Sequence, residues 1–145
     1  MASVRVMHHA VWALLDALTG VNTYDGEIVD GNGNSTSPPA DPGNHRVYAY
    51  AVLYYSPGRR HANALNGLQA STDGAFQVTC AAGDPTSAMW CVDQVLEALA
   101  GAAVEIDGVV RRIRIREDDV VSLRRDDNVT PARFYAPLHF RLLAP

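Results

Sequence analysis

The residues whose types and spacing carry most chemistry in this sequence are Arg111, Arg112, Arg114 and Arg116. On an extended strand Arg112, Arg114 and Arg116 project from one face, and Ile113 and Ile115 from the other. Three guanidinium groups in a row repel one another unless carboxylates or phosphates lie opposite. Carboxylates follow closely in sequence, as Glu117-Asp118-Asp119 and as Asp126-Asp127. One use of this pattern is a solvated sheet face on which Glu117, Asp126 or Asp127 pair with the arginines across strands. The other is a docking face for an acidic neighbour or for passing nucleic acid. The whole chain carries a net charge of -4. An arginine face and an aspartate edge on one acidic subunit suit head-to-tail self-association into a ring. The expected contact sets Arg112, Arg114 and Arg116 of one copy against Asp118, Asp119, Asp126 and Asp127 of the next.

Other chemistries have thinner support. Asp30-Gly31-Asn32-Gly33-Asn34 resembles the opening of a calcium loop, with Asp41 at its twelfth position. Such a loop wants glycine sixth and a glutamate twelfth. Ser35 and Asp41 stand there instead, Pro38-Pro39 stiffens the middle, and a polar solvated loop is the simpler reading. His8 and His9 are neighbours on a predicted helix, so they point about 100° apart and cannot share a metal. His45, His61 and His139 are scattered, and Cys80 and Cys91 lack CxxC spacing. The two cysteines read as small buried apolar residues, reduced in a cytoplasmic setting. No GxSxG, P-loop, GxGxxG or HExxH motif occurs. Acidic runs beside arginines are better read as surface charge pairs than as a general acid/base pair. The sequence therefore predicts no catalytic residue, no metal and no cofactor.

Elements must position these side chains. Val4, Met7, Val11, Leu14, Leu15 and Leu18 form one helical stripe, closed at Thr19-Gly20. Residues 21–45 read as one long turn-rich loop, studded with Asp-Gly, Asn-Gly and Pro-Pro. Val47 to Tyr55 predicts a strand, Ser56-Pro57-Gly58 a turn, and Arg59 to Gly67 an exposed loop. A second strand starts at Leu68 or Gly74 and ends at Ala81. Gly83-Asp84-Pro85 is a helix start, with Ala88, Val92, Val95, Leu96 and Leu99 facing a core. Asp107-Gly108 predicts a tight hairpin turn between Val104–Ile106 and Val109–Arg116. A last strand covers Arg133 to Leu143, with Phe134, Ala136, Leu138, Phe140 and Leu142 on one face. Two helices among such strands predict an α+β domain, a mainly antiparallel twisted sheet with both helices packed against it. The length of 145 residues suits one domain, and 48% apolar with 19% charged residues excludes a disordered chain or a coiled coil. No apolar run approaches the roughly 18 residues of a membrane span, and no signal peptide is legible. All twelve basic residues are arginine, a bias that fits a high-GC genome.

The order of several short motifs resembles the tail terminator family of long-tailed bacteriophages. Those motifs are Val21-Asn22-Thr23-Tyr24-Asp25-Gly26-Glu27-Ile28 after a first helix, the tyrosine-rich Val47–Tyr55, and Phe76 to Asp84 running into a second helix. Asp107-Gly108-Val109-Val110, Arg124-Arg125-Asp126-Asp127 and an aromatic closing strand follow. The resemblance implies a virion protein, assembled in the host cytoplasm, forming a ring of six copies on the tail tube. Such a ring halts tube polymerisation and meets the head connector, while genomic DNA passes through its lumen without base readout. A head-closure or neck adaptor at the same interface is the alternative. Residues 30–44 interrupt the family's compact pattern, and Asp30, Asn32, Asn34, Asp41 and Asn44 are expected to reach a neighbouring ring, ordering on assembly.

Overall fold

A helix starts at Val4 because Ser3, in extended conformation, accepts the Val6 amide at 3.1 Å. The computed structural model describes residues 3–62, 69–116 and 122–142. Glu117, Asp118 and Asp119 lie outside the described residues. Helix α1 (Val4–Asp16) buries Met7, Val11 and Leu15 completely, while Val4, Leu14 and Leu18 pack at its margin.

Strand β1 (Asn22–Asp25) follows and runs parallel to β2 (Tyr50–Ala62), Asn22 opposite Tyr50 and Asp25 opposite Leu53. The expected loop over residues 21–45 therefore begins only after a strand. Four residues are too few for a legible alternation, and β1 exists because β2 offers its edge. Val47 likewise makes only an isolated bridge to Ala40, so the β2 ladder begins at Tyr50. At its far end the expected turn at Ser56-Pro57-Gly58 is instead a register shift between Ser56 and Arg59. Proline and glycine inside a strand mark a bulge when the partner strand continues past them. Residues 59–62 are accordingly strand, paired with β3 (Gln69–Ala82).

Strand β3 meets β7 (Arg133–Leu142) only over Gly74–Ala82, and β1 covers β2 only over Tyr50–Leu53. Among the described residues, 59–62 and 69–73 thus pair with each other alone, a two-stranded ribbon running past the sheet.

Helix α2 (Pro85–Leu99) starts as its sequence predicts. Asp84 accepts the Ser87 amide at 2.8 Å and the Ser87 hydroxyl at 2.8 Å, and Pro85 takes the first helical position. The Ser87 amide bond, then its hydroxyl, hold the Asp84 carboxyl below its ordinary range. Asp84→Ala is expected to cost about 1 kcal/mol of stability at neutral pH. Because the folded carboxyl is the stronger acid, its contribution is complete above the ordinary carboxylate range and fades as pH falls through the lowered value. Urea melts of both chains should converge in acid; equal midpoints at pH 7 would show that the cap carries no stability.

Strands β4 (Ala103–Ile106) and β5 (Val109–Ile115) flank Asp107 and Gly108, both left-handed at φ 53° and 78°, the conformation of the expected hairpin turn. Strand β6 (Arg124–Asp126) pairs with Arg133–Tyr135 of β7, and β5 pairs with Phe140–Leu142 of the same strand. The sheet order is β1-β2-β3-β7-β5-β4, mixed through the parallel β1–β2 pair, and the class is α+β. Both helices lie on one face, closing a core that includes Leu53, Phe76, Val78, Ile113, Leu138 and Phe140. A smaller cluster of Val47, Tyr50, Val52 and Ala81 covers part of the other face, under Tyr24 and Ile28. Among the described residues no helix is long and apolar enough to cross a membrane.

Candidate functional site

The part of the second face that Tyr24 and Ile28 do not reach carries the predicted arginines. Along β5, Arg111 and Ile113 are buried against the helices, whereas Val110, Arg112 and Arg114 are exposed on the other side. The register places Arg114 directly opposite Arg141 of β7, which is also exposed. Side chains opposed in this way have Cβ atoms about 5 Å apart, and like charges there destabilise the pair. No carboxylate among the described residues lies within ion-pair distance of Arg114 or Arg141. Arg112 lends one guanidinium nitrogen to the Gly101 carbonyl at 3.4 Å. Glu105, the acid on this side of β4, faces Val110.

Arg116 lies one residue past β5, where its amide donates to the His139 carbonyl at 3.0 Å. It is half-buried, lining a groove of about 390 Å³ with Tyr54, Gln77 and His139. Tyr54, Gln77 and His139 are successive cross-strand neighbours on β2, β3 and β7, next to the row that ends in Arg141 and Arg114. Arg112 and Arg114 are therefore exposed side by side as the alternation predicts. Arg141 was not legible as their companion, since its place opposite Arg114 depends on register.

Arg111 has a different fate. It is 6% exposed, tucked beneath α1 with a guanidinium nitrogen 3.7 Å from the Met7 sulfur. Burial pushes the neighbouring Tyr55 phenol up to about 12, and the Arg111 charge offsets only part of that.

Asp126 at the end of β6 and Asp127 after it do not reach Arg112, Arg114 or Arg141 among the described residues. Asp127 pairs with Arg125 at 2.8 Å, and Asp126 accepts the Asn128 amide at 3.0 Å. Both members of the Arg125–Asp127 pair are well exposed, so the pair contributes little. Cross-strand pairing of Asp126 or Asp127 with Arg112, Arg114 or Arg116 does not form, because β6 faces the opposite end of β7 from β5.

Residues 26–49 are built by short-range bonds. Asp30 Oδ1 accepts the amides of Asn32 (2.8 Å) and Asn34 (3.0 Å). Asp41 Oδ1 accepts those of Gly43 (2.7 Å) and Asn44 (3.3 Å), and Asn44 accepts from Arg46 at 2.9 Å. Bridges between Val29 and Ser35 and between Ala40 and Val47 close the remainder. The turns are thus tied by bonds within one chain. Among the described residues no three His, Cys, Asp or Glu side chains are placed to hold a metal.

A second groove, of about 620 Å³, lies between α1 and the β1–β2 edge, lined by Arg5, His8, Asp25, Leu53, Tyr54 and Tyr55. His8 Nε2 sits 2.9 Å from the Asp25 carboxylate, and its ring meets Tyr55 edge-on at 5.6 Å. A carboxylate-oriented imidazole is half of a nucleophile-activating pair. Among the described residues no hydroxyl or thiol bonds to His8, so the pair here ties α1 to the end of β1. Seventeen residues of separation hid it from the sequence. Cys80 on β3 and Cys91 on α2 are buried free thiols. The bond from the Cys80 thiol to the Cys91 sulfur, together with burial, pushes Cys80 up, and Cys91 donates to the Tyr50 carbonyl at 3.5 Å.

Fold and surface define a small α+β domain with helices on one face of a mixed sheet and arginines on the other. No protein-family model matches this sequence, and comparison with curated proteins returns no match.

Proposed function

We propose that this chain is a structural subunit of a bacteriophage head–tail interface, a tail terminator whose copies close into a ring on the tube and stop its growth. The observation that carries the reading is the ribbon of residues 59–62 and 69–73, whose strands pair only with each other among the described residues. A lone two-stranded hairpin is marginal in water. A ribbon extending from a stable domain is understandable if a neighbouring copy or ring covers it. The order of motifs along nearly the whole chain supports the same reading, as does an α+β layer with two helices on one face.

Ring closure explains how weak contacts suffice. Each subunit offers two different edges, and a fixed rotation closes after a set number of copies, six in this reading. The last contact is intramolecular and gains from effective concentration. Termination then needs one ring face that accepts the tube and one that refuses further tube subunits. The ring would sit in the virion neck with the tube on one side and the head connector on the other, and DNA would cross its lumen. No catalytic step is assigned to it.

Two experiments test this. Native mass spectrometry and negative-stain imaging of the purified chain should show closed rings, and rings added to polymerising tube protein should cap one end and halt elongation. A protein that leaves tubes growing but binds the portal side is instead a head-closure adaptor. Replacing residues 59–73 by a short turn should preserve the near-UV spectrum of the domain and abolish the ring; rings that survive would show that closure does not need the ribbon.

A further inference from the structure

We infer that the arginine face formed by Arg112, Arg114 and Arg141 receives the carboxylate-bearing turns of residues 27–41 from a second copy of this chain. This rests on the ring reading and names the two surfaces that meet. Arg114 and Arg141 face each other across β5 and β7 with no carboxylate among the described residues to separate their charges. That arrangement costs the monomer and is relieved when anions dock between the guanidiniums. The groove beside it, lined by Tyr54, Gln77, Arg116 and His139, continues the same face.

The complementary charge is on the turns that follow β1. Residues 21–45 contain Asp25, Glu27, Asp30 and Asp41 and no arginine, whereas residues 109–116 contain four arginines and no acid. The sheet order puts β1, which leads into these turns, at one end and the β7–β5–β4 strands at the other. Two different patches of opposite charge on one subunit suit head-to-tail contact. Asp30 and Asp41 are also held in place, each by two backbone amides on Oδ1, so little freedom is lost when the second oxygen meets a guanidinium. A duplex nucleic acid fits less well. The chain is net acidic at -4, and one arginine cluster offers few of the phosphate contacts that non-specific binding needs. This contact differs from one through Asp126 and Asp127, whose carboxylates are engaged locally.

The test is a thermodynamic cycle on self-association of the full chain at low salt. Asp30→Asn with Asp41→Asn removes charge and keeps an oxygen for the turn amides; Arg114→Glu with Arg141→Glu reverses the face. Each pair is expected to weaken self-association about tenfold or more, with a salt dependence that shrinks in both. Combining them should cost clearly less than the product of the two effects, because the surfaces contact each other. Arg114→Gln with Arg141→Gln keeps the proposal testable if the reversed chain misfolds: it should raise the melting temperature of the monomer while weakening the ring. Rings indifferent to these changes, or strictly multiplicative effects, overturn the docking and leave the ring reading standing. A wild-type chain that stays monomeric at every concentration overturns both. Salt-sensitive retention of duplex DNA that vanishes in the arginine variants, with self-association unchanged, assigns the face to a polyanion and overturns the proposal.

Discussion

Phe140→Ala lowers the stability of the domain by about 4 kcal/mol, the cost of emptying a closed aromatic site. Phe140 is fully buried, and its ring stacks on Phe76 at 5.1 Å, which in turn stacks on Tyr55 at 5.7 Å. The three rings come from β7, β3 and β2, so the stack ties the three central strands on the helix-covered face. Neighbours can relax little around the gap. They belong to paired strands, and Ile113 and Leu142 beside it are themselves completely buried. Against a total of roughly 5–15 kcal/mol for such a domain, this loss leaves little margin. Calorimetry should show the melting temperature falling by about 12 °C. A fall of only a degree or two would mean that β7 does not pack against the sheet centre in this register. Phe140→Leu, which keeps most of the volume, should recover more than half of the loss.

Gly83→Ala is expected to cost about 3 kcal/mol by a different route, overpacking against backbone. A methyl group at Gly83 would stand 2.5 Å from Arg46 Cβ, 2.9 Å from the Val47 nitrogen and 3.0 Å from Arg46 Cα. Two of these are main-chain atoms that no rotamer change can move. The Gly83 amide also donates to the Val47 carbonyl at 3.0 Å, a bond that pins residues 40–49 to the end of β3. Relieving the clash means lifting that segment, with Asp41 on it, away from the sheet. Urea denaturation should show a lower midpoint, and hydrogen exchange should quicken at Gly83 and Tyr48. Gly31→Ala is the control: nothing lies within 4 Å of its methyl position, so stability should shift by no more than about 0.5 kcal/mol. Equal midpoints for Gly83→Ala and wild type would show that residues 46–47 do not rest on the strand end.

What could be read before folding was what is chemically local. Asp84-Pro85 announces α2 because the cap and first turn involve residues three apart. Asp107-Gly108 announces the β4–β5 hairpin because both residues tolerate left-handed backbone. The alternation of Phe134, Ala136, Leu138, Phe140 and Leu142 announces β7 because that side of the strand is buried from Ala136 to Leu142, with Phe134 half-buried. The exposure of Arg112 and Arg114 on one side, with Ile113 buried on the other, follows from the same period. Where local signals misled, a distant partner outweighed them. Pro57-Gly58 reads as a turn, yet β3 continues alongside and turns it into a bulge. Asn22–Asp25 reads as loop, yet the free edge of β2 makes it a strand.

The sequence by itself determined the class of the domain, its second helix, its tight hairpin and the one-sided arginine strand, because each depends on contacts within a few residues. Only the tertiary structure decided that Arg141 stands against Arg114, that Arg111 disappears under α1, that His8 holds Asp25, and that the strand leading into the acidic turns and the arginine strand lie in opposite halves of one sheet. These are matters of strand order and register. A chain's local chemistry leaves both open until long-range pairing closes the sheet.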